Sequence, residues 1–361
     1  MNILYISCLS GNKSAGLYYS VPLQIKAQSK IDNVFWYNLN NNYIQNEDSI
    51  VKCYSTKDFP NEKIEYLPQP FNNPDIVIFE GFYFYSYYKI AKQLKKKGTP
   101  YIIVPRSALT LDAQKSKKLK KKLANSCFFK QFAQNASAIQ YLTRNEHEAS
   151  GDIWNNNPII IPNGIIKKSN IKVFRKKNSL KGVFIGRLDI YQKGIDLLLE
   201  ACSLVKDKLE ENNCTIDIYG PDQNGTKKTL KDLTLKYELT NIVKIHDAIF
   251  DSEKEDIILK SDFFVLTSRF EGHPMAVIEA LSYGIPCLVT SGTNMADEIE
   301  SFKAGWASDV SVTGIVNSFN DLLEEKDKIS NKSSSAVKLS ERYDWSRIAE
   351  VSKKNFKKII N

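Results

Sequence analysis

The chain has 361 residues, too many for one ordinary core, so two domains are the first expectation. Its 42% hydrophobic and 25% charged residues are those of a soluble globular protein, and no stretch reaches the roughly 18 apolar residues that would span a bilayer. The net charge of +9 is unevenly spread: residues 1–178 hold 26 Lys/Arg against 12 Asp/Glu, whereas residues 179–361 hold 24 against 29. Within 89–130 there are 13 basic residues and one acid, Asp112. That basic face is either a solvated Lys-rich surface or a contact for something anionic, such as a membrane, a lipid diphosphate or nucleic acid.

The opening "MNILYISCLS" has no basic segment before its apolar residues and reads as a first strand, not a signal peptide. Further strands are expected at Val34–Asn38, Ile76–Phe79, Tyr101–Val104, Ala138–Tyr141 and Ile159–Ile161, with helices at Tyr87–Lys97 and Lys115–Asn135. The segment 38–49 reads as a polar loop. Past a Pro-Asn-Gly turn and a basic irregular stretch (162–178), strands recur at Gly182–Ile185, Thr215–Tyr219, Val243–Ile245, Phe263–Leu266 and Pro286–Val289. Helices recur at Gly194–Leu209, Thr226–Tyr237, Glu253–Lys260 and Pro274–Tyr283, and an amphipathic helix closes the chain at about 346–360. Strand–helix alternation on both sides of the break predicts two doubly wound parallel-sheet domains with a cleft between them. The expected boundaries are 1–165 and 166–342, with 343–361 a closing helix that can return to the first domain. The six cysteines show no paired spacing and are expected reduced and mostly buried, in a cytoplasmic protein.

The chemistry gathers in the second half. In "FEGHPMAVIEALSYGIPCLVT" (270–290), Glu271 lies in a Gly/Pro turn and Glu279 lies eight residues on, in an otherwise apolar helix. The helix start, with N–H groups near Met275 and Ala276, is a ready anion site. A carboxylate on a buried helix needs partners, and either a ribose diol or a buried Arg would serve Glu279. In "GVFIGRLDIYQKG", Arg187 follows Gly186 at a strand end, and Lys193 precedes the next helix. These two cations suit a phosphate group or are ordinary loop charges. One ligand unites the pieces: a nucleotide diphospho-sugar, its diphosphate on Arg187, Lys193 and helix N–H groups, its ribose on Glu279, its sugar near Glu271. No two aspartates are two residues apart, so the Asp-x-Asp pair that holds Mg²⁺ or Mn²⁺ in many sugar-nucleotide enzymes is missing. No metal site and no cofactor are expected, and fixed cations would meet the leaving-group charge.

These residues resemble the E-x7-E segment of retaining glycosyltransferases of family 4, which have the GT-B fold. "IGRLDIYQKGIDLLLEA" (185–201), "DIYGPD" (217–222), "IPNGI" (161–165) and "YDWSRIAE" (343–350) resemble further segments of that family in order and spacing. The resemblance is strong over about 159–361. It implies that Arg187 and Lys193 bind the donor diphosphate, that Glu271 lies near the donor sugar and reacting phosphate, and that Glu279 takes the ribose. Gly272, His273, Pro274, Met275 and Ala276 would wall the sugar-diphosphate pocket. In the first half the match is looser. Gly16, opening a helix, stands where many members have a Gly pair, and Arg106 stands where many have a histidine, so these two are candidates for an acceptor or phosphate loop. "YLTRNEHEA" (141–149) resembles a structural strand-loop of the family.

The function so implied is metal-independent, retaining transfer of a hexosyl or N-acetylhexosaminyl group, from a UDP-sugar first and a GDP-sugar next. The acceptor would be a glycan or polyprenyl-diphosphate-linked glycan in bacterial capsule, exopolysaccharide or O-antigen synthesis. The basic, aromatic-rich stretch 80–98 is either core packing or an interfacial patch for an anionic membrane, and no nucleic-acid partner is expected. Two other classes are weaker. A sugar-nucleotide epimerase lacks a supporting acid/base set, and a basic anion- or nucleic-acid-binding protein leaves both glutamates unexplained. No G-x-G-x-x-G follows the first strand, which argues against a dinucleotide dehydrogenase.

Overall fold

The computed structural model describes residues 1–361 apart from 13–14, 44, 46–50, 176–177 and 223–224. The chain divides into two units, one of Met1–Gly164 with Trp345–Asn361, the other of Ile165–Asp344. Residues 44 and 46–49 of the polar loop expected at 38–49, and residues 176–177 of the basic stretch, fall outside the described residues.

The first unit runs β1 (Asn2–Ser7), α1 (Gly16–Gln28), β2 (Asn33–Asn38), β3 (Cys53–Ser55), β4 (Ile76–Glu80), α2 (Tyr85–Lys97), β5 (Tyr101–Val104), α3 (Leu111–Lys115), α4 (Lys118–Ala124), α5 (Lys130–Gln134), β6 (Ala138–Tyr141), α6 (Arg144–Ser150) and β7 (Pro158–Ile160). All seven strands are parallel, in the order β3-β2-β1-β4-β5-β6-β7. Every residue of β4, β5 and β6 is buried, as strands covered on both faces must be. Strand order reverses between β1 and β4, the doubly wound pattern. The edge strand β3 gave no sequence signal, being three half-buried residues.

The single helix expected over Lys115–Asn135 is interrupted once, after α3, and then runs on from Lys118 to Gln134. Lys117 takes a left-handed φ of 52° between α3 and α4. Like charges at Lys117/Lys121 and Lys118/Lys122 oppose a continuous helix there, and no residue of α3 or α4 is buried to compensate. A π-helical turn (Asn125–Phe129) then shifts the register so that Phe129 and Phe132 enter the core. Of the aromatics at 80–98, Phe82, Tyr87 and Tyr88 are core residues, while Tyr85 is 51% exposed.

Arg106, a candidate for phosphate binding, is buried and fully engaged. Its guanidinium donates to Glu80 Oε2 from Nη2 (2.7 Å) and Nε (3.1 Å), to Gln24 Oε1 (2.9 Å), to Ser20 Oγ (3.4 Å) and to Asn163 Oδ1. These bonds occupy the five N–H donors of the side chain, so it ties α1, β4 and the Pro-Asn-Gly turn together. The backbone around it is also held: Arg106 and Ser107 both have positive φ, and the buried Glu146 carboxylate accepts from Ser107 N (2.5 Å) and Leu142 N (2.6 Å). Burial pushes the Glu146 carboxyl up, while these backbone bonds and the Arg106 charge pull it back. Thr143, in "YLTRNEHEA", caps α6 by accepting from Glu146 N. Gly16 is the exposed first residue of α1.

The second unit runs β8 (Leu180–Ile185), α7 (Ile195–Leu204), α8 (Lys206–Glu211), β9 (Cys214–Tyr219), α9 (Thr226–Lys236), β10 (Val243–His246), α10 (Asp251–Lys260), β11 (Phe263–Leu266), α11 (Met275–Ser282), β12 (Cys287–Thr290), α12 (Ala296–Phe302), β13 (Gly305–Ser308), α13 (Val312–Glu324) and α14 (Ile329–Ser340). Its six parallel strands take the order β10-β9-β8-β11-β12-β13. The helix expected over Gly194–Leu209 divides at Val205, whose backbone leaves the helical region while its side chain stays in the core. One contact fixes the start of α7. Gly194 has φ +60°, and a Cβ there would lie 2.0 Å from the Thr267 carbonyl oxygen at the end of β11. The last helix, α15 (Trp345–Ile360), belongs to the first unit, where Trp345, Ile348, Ala349 and Phe356 join the core against α1 and β1. All six cysteines are free; Cys202, Cys214 and Cys287 are buried, Cys8 and Cys53 half-buried, and Cys127 exposed, so burial is less general than expected.

Two stability outcomes follow. Arg106→Met leaves Glu80 buried without its counter-charge and should cost about 3–5 kcal/mol in urea unfolding, much of it recovered when Glu80→Gln is added. Gly194→Ala should cost about 2–5 kcal/mol by the same assay, from the left-handed backbone and the Thr267 carbonyl together.

Candidate active site

In the second sheet the strand order reverses between the parallel neighbours β8 and β11, and the candidate residues lie in the loops that leave the C-terminal ends of those strands. Adjacent parallel strands with diverging connections leave a crevice at this point, the usual ligand position in such sheets. From β8 come Gly186 and Arg187, and from the turn before α7 comes Lys193. From β11 come Ser268, Arg269 and Glu271. A Cβ at Gly220, after β9, would sit 2.0 Å from the Gly186 carbonyl oxygen, so the "YGPD" turn presses directly on the β8 loop.

Lys193 and Glu271, 78 residues apart in sequence, form an ion pair in which Nζ donates to Oε1, with both side chains largely buried. Ser268 Oγ donates to the same Oε1 at 2.9 Å. The Glu271 turn is fixed from behind by Asn294, whose carboxamide donates to the Glu271 carbonyl (2.5 Å) and the Gly272 carbonyl (3.2 Å). Arg187 Nη2 donates to Gln192 Oε1 at 2.9 Å, while Gln192 Nε2 donates to the Phe270 carbonyl at 3.4 Å. Lys193 and Glu271 are thus paired directly, and Arg187 is tied to the neighbouring Phe270 carbonyl through Gln192. A third cation, Arg269, is committed to Asp196 by two 2.7 Å bonds.

The helix α11 starts one residue later than expected, with Pro274 at its N-cap and no side chain capping it. The N–H groups of Met275 and Ala276 therefore leave the first turn without intrahelical partners, in a half-buried position. His273 is buried, its ring edge-on to Tyr343 at 4.9 Å. Glu279 corrects the expectation of a fully buried carboxylate. It is half-buried, on the face of α11 that Met275 and Ala276 begin, and its partner is a lysine, Lys254 of α10, not an arginine. Tyr283 is one turn further on. Burial first, then Glu255 and the nearby Glu279, push its phenol well up, so it stays neutral.

The arrangement presents two lysines, one arginine and an uncapped helix end beside two carboxylates, each carboxylate already neutralised. An incoming dianion can compete for the lysines, and a polyol can hydrogen-bond to the carboxylates. Among the described residues no three of His, Cys, Asp and Glu gather as a metal-holding cluster. Sequence reasoning missed Lys254, Ser268, Gln192 and Asn294. Asn294 carried one faint signal, an asparagine in a "SGTN" turn, and it does adopt φ +59°. Lys254 carried none, since nothing local links it to a residue 25 positions away.

Residues 166–339 match the family model described as "Glycosyl transferases group 1". An uncharacterized glycosyltransferase of Haemophilus influenzae is 30% identical over 146 residues, 38% of each chain. A UDP-Gal:alpha-D-GlcNAc-diphosphoundecaprenol alpha-1,3-galactosyltransferase of Escherichia coli is 26% identical over 145 residues, 37% of this chain and 36% of that protein. The chain thus spans well under half the length of these curated relatives. Among solved structures, Anabaena HepE in complex with UDP-glucose has a TM-score of 0.72 and 17% identity, over 99% of this chain and 100% of that one. At that identity the likeness is one of fold. The match to the group 1 glycosyl transferase model covers most of the second unit, and the chain as a whole has the GT-B fold of two Rossmann-like parallel-sheet units.

Proposed function

We propose that the chain is a retaining glycosyltransferase that moves a hexosyl or N-acetylhexosaminyl group from a nucleotide diphospho-sugar to a glycan or lipid-linked acceptor. The observation that carries this is the cluster in the loops after β8 and β11: Lys193 pairs with Glu271, Arg187 is linked through Gln192 to the Phe270 carbonyl just before it, and Glu279 lies on the uncapped helix α11 that follows. A UDP-sugar is the favoured donor and a GDP-sugar the next. UDP-glucose is the ligand of the HepE structure, and a UDP-sugar stands in the name of the Escherichia coli relative. That relative's name also includes a diphosphoundecaprenol-linked acceptor, which favours assembly of a bacterial surface polysaccharide such as capsule, exopolysaccharide or O-antigen.

In this reading the donor diphosphate draws Lys193 away from Glu271 and joins it to Arg187 and the Met275 and Ala276 N–H groups. Glu271, released, accepts hydrogen bonds from the sugar, and Glu279 accepts the two ribose hydroxyls while Lys254 keeps it oriented. His273 and Pro274 wall the pocket. The acceptor hydroxyl attacks the anomeric carbon from the face that the diphosphate leaves. The new C–O bond forms as the anomeric C–O(phosphate) bond breaks, and the acceptor proton passes to the departing phosphate oxygen. The negative charge that grows on the diphosphate falls on Arg187, Lys193 and the helix end, so no metal is needed for this step. Arg106, with its donors engaged, has no part in it; the exposed Gly16 at the start of α1 is kept on the acceptor side.

A thermal-shift panel of UDP-, GDP-, dTDP- and ADP-sugars should pick out the donor, and turnover of the hit in excess EDTA should persist. With that donor, Glu271→Ala should lower kcat about 100-fold or more, and Arg187→Ala should raise the donor KM about 10- to 100-fold. A Glu271→Ala enzyme with wild-type initial rates would remove Glu271 from this role. Glu279→Ala should raise the donor KM about tenfold with kcat nearly unchanged, because ribose binding is equal in ground and transition states. A fall in kcat alone would contradict the ribose assignment.

A further inference from the structure

The helices α3 and α4 bury none of their residues, yet they carry leucines. Leu111, Leu119 and Leu123 are 65%, 83% and 69% exposed, and Leu119 is the most exposed large apolar side chain among the described residues. Leu119 and Leu123 are four apart on α4 and so share one face. Around them Lys117, Lys118, Lys120 and Lys122 are all exposed. Between 111 and 130 seven lysines stand against one acid, Asp112, which Lys115 already pairs.

The segment is nonetheless firmly mounted. Lys121 Nζ donates to the Ala113 carbonyl, joining α4 to α3, and lies 5.3 Å from the Tyr83 ring centroid. Beyond α4 the buried Phe129 anchors the chain, and Phe128 packs on Tyr85 (5.1 Å) and Tyr88 (5.4 Å) of α2. Tyr85 is half exposed and has Lys89 above its ring at 5.1 Å. A short helix with two outward leucines ringed by lysines is therefore held in place with its apolar side in water.

We propose that α4, flanked by Leu111 and Tyr85, is an interfacial helix that docks on an anionic lipid bilayer. The lysines meet the lipid phosphates and the leucines enter the acyl boundary, with the lysine stems lying along the apolar surface. Nucleic acid would satisfy the lysines but leave the leucines in water. A second copy of the chain would bury the leucines but set lysine against lysine. Among the described residues no helix is long and apolar enough to cross a membrane, so the contact lies in the interface. The surface does not rest on the proposed sugar chemistry. If both hold, it brings the enzyme to where a lipid-linked acceptor resides.

Vesicle co-sedimentation of the full chain without donor or acceptor tests this separately from catalysis. The wild type should bind phosphatidylglycerol/phosphatidylethanolamine vesicles at low salt and not phosphatidylcholine vesicles. The L119S/L123S double variant should bind about tenfold or more weakly. Because both leucines are exposed, that variant should melt with the wild type. A Leu119→Trp variant should blue-shift its emission on anionic vesicles. Failure of the wild type to bind anionic vesicles would overturn the proposal, and so would vesicle binding unchanged in L119S/L123S. Tighter binding to a single-stranded oligonucleotide that survives the leucine changes, or leucine-dependent self-association without vesicle binding, would overturn it as well.

Discussion

β8 and β11 run side by side and parallel, though two strands and four helices of chain lie between them in sequence. Parallel neighbours need long crossover connections, and those connections carry the helices to the faces of the sheet. With β9 and β10 on one side of β8 and β12 and β13 on the other, the connections diverge at this one seam. The loops after β8 and β11 are left facing each other there. Gly194 packed on the Thr267 carbonyl sets how closely they approach, which is why a residue without a side chain occupies that turn.

Charge at the seam is arranged in pairs. Lys193 neutralises Glu271 and Lys254 neutralises Glu279, each pair being only partly solvated. A carboxylate left alone in such a place would be costly, and so would a lysine, so the resting protein holds both at modest expense. On the proposed reading the same lysine, Lys193, is the counter-ion of Glu271 at rest and of a diphosphate when donor binds. The backbone does not need to be rebuilt between the two, because Asn294 and Ser268 hold the Glu271 turn independently of Lys193.

The basic half of the chain shows two opposite uses of positive charge. Arg106 is buried among Glu80, Gln24, Ser20 and Asn163, where its planar five-donor head serves as a structural tie. The lysines of α4 are in water and tie nothing down, apart from Lys121. A count of charges along the chain treats the two alike. Their burial separates them, and it makes the exposed leucines beside the second group informative.

Much of the architecture was legible from local pattern. The runs "IVIF", "YIIV" and "GVFI" read as covered strands, and their alternation with amphipathic segments pointed to parallel sheets. The eight-residue step from Glu271 to Glu279 put one acid in a turn and the other on a helix, because Gly272 and Pro274 end one conformation and begin the next. Short edge strands such as β3, the break at Lys117 and the division at Val205 were not legible, since each depends on what packs against it. By itself the sequence determined the type of most strands and of helices such as α2, α9, α10 and α11, though not of α13 and α14, and the residue types at the seam, because backbone sterics and apolar periodicity act over a few residues. Only the tertiary structure decided that Lys254 meets Glu279, that Arg106 is closed off and that Leu119 is left in water, because strand order joins residues that no local interaction connects.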